Sequence, residues 1–378
     1  MSKKIVCERC IYDNSVPNIV FNENGMCNYC QIHDDLEILY PIEKEGEKRL
    51  SLLFEKIKSE GTGKGKKYDC VIGVSGGCDS SYLVHKAVKM GLKPLAVHFD
   101  NTWNSPIATQ NIQKVLSKLN VDLFTIVVNN KEYDDIYRSF MLAGVKDIEA
   151  PTDIGLLSTM YKACAKYNLS YILEGHSFRT EGISPLGWLY MDGKYIESVH
   201  KKFGKLPMKT FPNLTLFKFL WYSCFTKVQR IRPLYYLDYN KEQTKLLLKE
   251  EFDWEWYGGH HLENRFTAFY HSYFLPKRFG IDCRILGYAA LARSKQLQRE
   301  EGLQKMSEDP PYDEEILSLV KKRLGFSEQE FEEVMSISKK EWRDYGNYKK
   351  TFERLEPLFK ILLKHHRIPE SFYMKFCK

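Results

Sequence analysis

The feature that most restricts this chain is the run Ser75-Gly76-Gly77-Cys78-Asp79-Ser80-Ser81, set between an apolar stretch and a helical one. Before it, Asp69-Cys70-Val71-Ile72-Gly73-Val74 reads as a short strand buried on both faces. After it, Tyr82 to Met90 has helical periodicity and stops at Gly91. A strand, a serine-glycine loop and a helix start, in that order, make an anion site. The glycines let backbone N–H groups close on phosphate oxygens, the helix dipole favours negative charge, and the hydroxyls add donors. The Gly-Lys-Ser/Thr ending of a Walker A loop is absent. The alternative is a structural strand-to-helix turn, for which two glycines flanked by serines and a carboxylate serve no packing purpose.

The elements that follow extend the pattern. Lys93 to Phe99 reads as a second strand ending in Asp100-Asn101, a helix is expected from about Pro106 to Leu119, and Asp122 to Val128 reads as a third strand. Thr152 to Tyr167 has helical alternation with Thr152 and Asp153 as cap candidates, and it delivers a fourth strand, Ser170 to Leu173, tipped by Glu174-Gly175-His176. The βαβαβ period predicts an α/β fold with a parallel sheet and ligands at the carboxyl ends of its strands. Asp100 then sits beside the loop or acts as a turn cap, and His176 positions substrate, moves a proton or donates to a neighbouring carbonyl.

Near the amino terminus, Cys7 and Cys10 are two residues apart, as are Cys27 and Cys30, with sixteen residues between the pairs. Two such knuckles complete a tetrahedral sulfur set suited to Zn2+, and four protein ligands leave no open position, so the expected site is structural. The rival is redox chemistry, but a thioredoxin-like site needs one pair opening a helix.

The 378 residues carry a net charge of +7 with 14% aromatics, which excludes general disorder. The start shows no signal-peptide pattern, and the longest apolar stretch, Leu214 to Phe225, is broken by Lys218 and too short to span a bilayer, so no transmembrane segment and a cytoplasmic location are expected. Between Glu197 and Asp238 there is no acid but eight bases: Lys201, Lys202, Lys205, Lys209, Lys218, Lys227, Arg230 and Arg232. This segment either faces an anionic partner or is a solvated loop. Its aromatics Phe217, Phe219, Trp221 and Phe225 are expected to fill a small core.

Ser-Gly-Gly-x-Asp-Ser after the first strand resembles the signature of the PP-loop ATP pyrophosphatases. The resemblance implies that Ser75, Gly76, Gly77, Asp79, Ser80 and Ser81 hold the pyrophosphate of ATP, with Asp79 near Mg2+. It further implies that Asp100 and Asn101 border the adenosine and that Asp79 and Ser75 act in catalysis; the β4 tip, with Glu174 and His176 facing one cleft and Gly175 allowing close approach, adds Glu174 and Gly175 to the nucleotide site and His176 to the catalytic candidates. Three further segments, Ile231 to Gln243, Trp256 to Thr267 and Gly287 to Gly302, together with the cysteine pairs, look like the N-acetyl sugar amidotransferases of bacterial surface-polysaccharide and flagellar-glycan pathways. The stretch from Ala289 to Lys295 is only loosely like the usual helix of that family.

That second resemblance implies an enzyme converting an acetamido to an acetamidino group on a sugar or sugar nucleotide. It uses ATP, Mg2+ and ammonia from a separate glutaminase of the HisH type, and Zn2+ serves structure. His261, Arg265, Lys277 and Arg278 become the substrate-binding candidates, with an ordinary helix cap as the competing view of the first two. The expected organisation is a zinc module over residues 1–40, a parallel-sheet PP-loop core over 60–255 with a basic aromatic insert at about 178–230, and a helical region over 256–378. A tRNA-modifying ATP pyrophosphatase and a non-catalytic scaffold for the glutaminase are the alternatives. DNA is not an expected partner and RNA is disfavoured.

Overall fold

The computed structural model describes residues 5–259 and 262–378. The first strand runs Cys70–Gly73 (β1), followed by Pro94–Asp100 (β2), Leu123–Val127 (β3), Tyr171–Leu173 (β4) and Gln229–Ile231 (β5). They form one sheet in the order β3-β2-β1-β4-β5, and every neighbouring pair is parallel. The chain winds outward from β1 in one direction and then in the other. The order therefore reverses between β1 and β4, and it is beyond the carboxyl ends of the strands at such a switch point that sheets of this kind bind ligands.

Side-chain alternation explains why β1 sits at the centre. Val71 joins Leu95, Val97 and Phe99 of β2 in a core completed by Ile154, Met160 and Tyr161 of helix Ala150–Tyr167. Cys70, Ile72 and Val74 point the other way, into Leu83 and Val84 of helix Cys78–Lys89 and into Leu50, Phe54 and Ile57 of helix Glu43–Glu60. A strand covered on both faces needs this unbroken apolar run. Helix Pro106–Leu119 matches its expected span. The Ser105 side chain accepts from the Ala108 N–H, Pro106 is the first residue, and Asn120 closes it in the left-handed region.

Three expectations are corrected. Thr152 and Asp153 lie inside helix Ala150–Tyr167 and do not cap it; its N-cap is Glu149, with no side-chain cap bond, and the Thr152 hydroxyl is shared with Tyr133 and Tyr137. The basic segment is no plain insert, since it contains helices Gly193–Phe203 and Leu216–Cys224 and ends in β5, which completes the sheet. Of the four aromatics expected to fill a core, Phe219 alone is buried, while Phe217, Trp221 and Phe225 are 76%, 48% and 69% exposed.

The carboxyl-terminal helices pack into the same apolar core as the sheet: Phe266, Phe274, Val320, Phe331 and Phe359 join Val71 and Val97 in one cluster. Buried Glu149 helps join the two regions, accepting from the Thr267 hydroxyl at 3.1 Å and the Tyr137 hydroxyl at 3.3 Å. Burial, with Asp153 nearby, lifts its carboxyl to about 7. The folded chain holds this proton more tightly than the unfolded chain does, so stability is lost as pH rises from the ordinary glutamate range through about 7. Glu149→Gln is expected to remove that slope, leaving the variant more stable than the parent at pH 8 by about 3 kcal/mol relative to their difference at pH 4. Urea unfolding at the two pH values checks this. Asp147, also raised by burial to about 6, titrates in both proteins and cancels in the difference.

Candidate functional site

The helix after β1 begins at Cys78, earlier than its periodicity suggests, so Asp79, Ser80 and Ser81 occupy its first turn. Its N-cap is Gly77 and no side chain caps it. The first-turn amides have no carbonyl within the helix to bond, which is the condition for receiving an anion. The loop is braced by its own hydroxyls. Ser80 accepts from the Ser75 N–H at 3.4 Å and donates to the Gly77 carbonyl at 3.2 Å. Ser75 accepts from the Gly77 N–H at 3.2 Å and donates to Glu263 at 3.3 Å. Gly76 has φ +83°, and a Cβ there would lie 2.2 Å from the Ala108 carbonyl oxygen. At Gly77 a Cβ would meet the Ser75 and Tyr257 hydroxyls at 3.1 Å. Gly175, after β4, lies against the Asp79–Ser80 backbone, where a Cβ would come within 3.1 Å. The loop and the β4 tip are thus brought together, as expected. Ser81 differs: it is buried and returns its amide to Gly77, so it belongs to the helix body and not to the loop lining.

Asp79 is held by two residues that sequence reasoning assigned no role. The Tyr239 hydroxyl donates to one carboxylate oxygen at 2.6 Å, and the Lys241 ammonium lies 2.9 Å from the other. Burial alone would discharge Lys241, but Asp79 beside it more than offsets this and raises its pKa above the ordinary lysine value. Both residues lie in the stretch from Ile231 to Gln243 that carried the family resemblance. Lys241 is the first residue of helix Lys241–Phe252, which Asn240 caps.

Glu174, expected at the nucleotide, is taken up by arginines. Arg230 pairs with one oxygen and the Arg232 Nε donates to the other at 3.1 Å. Burial pushes this carboxyl up, yet the two guanidiniums prevail and hold it at about 2. Arg232 also donates to the Tyr235 hydroxyl at 2.8 Å, which lies 3.1 Å from His176 Nδ1. Glu174 therefore acts on the site through an arginine-tyrosine-histidine chain. Its depressed pKa contributes stability that is present above the ordinary glutamate range and fades as pH falls toward about 2. Glu174→Gln leaves two guanidiniums short of a counterion and is expected to cost about 3 kcal/mol or more near neutrality, with the gap closing in acid, as read by urea unfolding.

The other expected residues divide. Asp100 makes a turn, accepting from the Thr102 N–H at 2.8 Å, and lines an open cleft of about 420 Å³ with His98, Thr109 and Thr125 that the serine-glycine loop does not line. Asn101 is buried and bonded within the protein: it accepts from the Trp103 N–H and from Asn264, and donates to the Tyr137 hydroxyl. It is a joint between β2 and the helical region, not a nucleotide contact. Arg265 is half-buried at the start of helix Arg265–Phe269, its N–H bonded to the Trp103 carbonyl. Lys277 is exposed. Arg278 is corrected: it is buried, and its guanidinium donates to the Met335 and Ile337 carbonyls, tying down the end of helix Glu328–Ser336. His260 and His261 lie outside the described residues.

The four cysteines converge. Their sulfurs all lie within 4.8 Å of one another, with Cys7–Cys30 and Cys10–Cys27 at 3.7 Å and Cys27–Cys30 at 3.6 Å. Zinc–sulfur bonds of about 2.3 Å in a tetrahedron put sulfurs about 3.8 Å apart, so the cage fits zinc, and no pair is close enough for a disulfide. Backbone N–H groups of Cys27 and Tyr12 point at the Cys7 and Cys10 sulfurs at 3.2 and 3.5 Å. The Arg293 guanidinium, buried and stacked on Tyr12, donates to Cys10 Sγ at 3.2 Å, where it offsets the charge of a thiolate set. Arg299 donates to the Cys7 and Cys10 carbonyls. Both arginines lie in the stretch from Gly287 to Gly302 that carried the family resemblance, but no spacing or periodicity ties them to cysteines some 280 residues away.

Residues 263–358 match the family described as LPS biosynthesis protein WbpG-like, C-terminal domain. No curated protein matches the chain. Among solved structures it is similar to an NMN synthetase from Francisella tularensis, at 14% identity over 75% of this chain and 94% of that one, with a TM-score of 0.32. It is also similar to the U34-tRNA thiolase NcsA from Methanococcus maripaludis with its 4Fe-4S cluster, at 13% identity over 79% and 88% of the two chains and a TM-score of 0.29. The WbpG-like region supplies Glu263 to the loop and Arg293 and Arg299 to the cysteine module.

Proposed function

We propose that the chain is an AMP-forming amidotransferase of surface-glycan biosynthesis that turns the acetamido group of an N-acetylated sugar into an acetamidino group. The observation that carries this reading is the meeting of two parts. Glu263, the first residue of the WbpG-like region, bonds Ser75 in a loop built at an uncapped helix start, so the anion site and the region of glycan-pathway kinship form one site.

In this reading the free amides of the loop and of the helix's first turn take the β and γ phosphates of ATP, and the Ser75 and Ser80 hydroxyls turn to them from Glu263 and the Gly77 carbonyl. Lys241 lies beside them as a fixed positive charge. Mg2+ fits the donor set, because Asp79 presents a carboxylate at the helix start and this ion is ordinarily held by one or two carboxylates plus phosphate oxygens; when bound it neutralises the departing pyrophosphate. The sugar's amide oxygen attacks the α phosphorus and pyrophosphate leaves. Ammonia, delivered by a partner glutaminase, adds to the activated carbon, and the carbon–oxygen bond breaks so that the oxygen departs on AMP. His176, held through Tyr235 and facing Glu181 at 3.8 Å, takes a proton from the incoming nitrogen.

The test uses an N-acetylated nucleotide sugar with heavy oxygen in the acetamido carbonyl, incubated with ATP, magnesium and ammonium. The expected result is an amidine product, with the label found in AMP. Release of ADP and orthophosphate, or AMP formation indifferent to sugar and ammonia, would overturn the reading. Turnover that requires RNA instead would point to the RNA-modifying alternative.

A further inference from the structure

The exposed aromatics of helix Leu216–Cys224 play no part in the site described above. Phe217, Trp221 and Phe225 recur at one-turn intervals and so share one face, and the rings of Trp221 and Phe225 stack at 4.7 Å. The opposite face is anchored. Phe219 packs on Phe359 and Phe372, with centroids 6.3 and 5.0 Å away, and Tyr222 stacks on Tyr161 at 5.1 Å. The aromatic face is therefore held outward by a fixed helix, and burying it would not require the fold to open.

Its surroundings are cationic. Lys218 and Lys227 flank the rings and are exposed. Arg367 donates to the Lys227 carbonyl, which brings the turn after helix Glu356–Lys364, with exposed Lys364, His365 and His366, to the same rim. Between Glu197 and Asp238 the sequence holds no acid, and Glu60, bonded to the Tyr171 hydroxyl that Arg367 also faces, is a carboxylate on the Arg367 side. Rings on one side of a short helix with lysines around them have the make-up of an interfacial anchor: the rings enter the boundary between headgroups and acyl chains while the cations meet phosphates. Among the described residues no helix is long and apolar enough to cross a membrane, so such contact would be peripheral.

We propose that this face seats the protein on the surface of an anionic phospholipid bilayer, with Phe217, Trp221 and Phe225 inserted and Lys218, Lys227 and Arg367 paired with headgroup phosphates. The charge favours lipid over a protein partner. A bilayer presents phosphates at every position around the rings, whereas a protein would have to match both the rings and a rim of separately placed cations.

The full chain is sedimented with phosphatidylcholine vesicles, with and without about one third phosphatidylglycerol; binding is expected to be at least about tenfold tighter with the anionic lipid and to weaken with salt. The variant Phe217→Ala/Trp221→Ala/Phe225→Ala changes only exposed rings, and it should keep its thermal transition and lose about tenfold or more in binding. Lys218→Glu/Lys227→Glu should lose the preference for anionic vesicles. Trp221 is the most exposed of the described tryptophans at 48%, followed by Trp256 at 38%, so quenching by brominated lipid should fall sharply in Trp221→Phe while binding persists. No binding to either vesicle, or full binding by the triple-alanine variant, overturns the proposal. So does loss of glutaminase binding in that variant when the parent ignores vesicles, which would make the face a protein-docking surface. None of these outcomes bears on the chemistry proposed at the loop.

Discussion

Asp79→Asn is expected to lower ammonia-dependent release of AMP and pyrophosphate by at least about a hundredfold, the scale of losing one preorganised electrostatic contact to a transition state. The change is nearly isosteric, and the amide that replaces the carboxylate keeps an oxygen for the Tyr239 hydroxyl, which in the parent sits 2.6 Å from Asp79. What it removes is charge. In the proposed reaction the loop loses the carboxylate offered to Mg2+, and the Lys241 ammonium loses the acid 2.9 Å away, with Glu181 left as its other acidic neighbour. Both losses act where pyrophosphate is to leave, so kcat should fall more than the KM for ATP rises. Lys241→Met separates the two contributions, because it leaves Asp79 bonded to Tyr239. It should raise the KM for ATP and lower kcat less than Asp79→Asn does. Zinc content should be unchanged in both variants, since the cysteine cage is built from other residues. Turnover near the parent level in Asp79→Asn would remove the loop from the reaction.

What the sequence disclosed and what it concealed follow from how far each interaction reaches along the chain. The strand, loop and helix from Asp69 to Met90 are local: apolar run, glycine pair and periodicity sit side by side, and the structure places them almost as read. The same holds for helix Pro106–Leu119, with its Ser105 cap and its Asn120 end. A parallel sheet between a cysteine module and a helical region is the expected architecture, and the fifth strand is an addition to it. β5 is marked only by the family resemblance that starts at Ile231, because its three half-buried residues, two of them polar, carry no apolar signal of their own. Lys241, Glu263 and Arg293 are legible only through contacts 160 to 280 residues long, for which no periodicity or spacing gives a sign. The misreadings of Arg278 and Asn101 share one cause. A polar residue in a motif-bearing stretch looks alike whether it faces a ligand or satisfies buried backbone and amide groups, and here the buried groups claimed both. The exposed aromatics invert the usual rule, since rings at helical spacing ordinarily mark a core.

Emptying the four-cysteine cage, whose geometry fits zinc, should produce the largest change in stability, and its reach into the carboxyl-terminal region tests how the chain is assembled. Structural tetrathiolate sites contribute on the order of 10 kcal/mol to the folding of the segment that carries them. The described part of the module has a modest core of its own: Ile11, Tyr12, Val16 and Tyr29 pack with the four cysteines, and Trp188, Ile285 and Ala289 complete the cluster from elsewhere in the chain. Cys10→Ser/Cys27→Ser is therefore expected to purify without zinc and to lose amide-exchange protection over the module. It should also lose protection over helices Arg284–Arg293 and Arg299–Ser307, because Arg293 would face an emptied cage and Arg299 would lose the ordered Cys7 and Cys10 carbonyls. Protection in β1 and β2 should persist, as their core is built from other side chains. Arg293→Met tests the charge argument separately: zinc should still bind but exchange out faster to a chelator, because the buried cation that offsets the thiolates is gone. A zinc-free double variant whose two helices exchange as slowly as in the parent would mean that the module is an appendage, and that the arginine contacts do not couple it to the WbpG-like region.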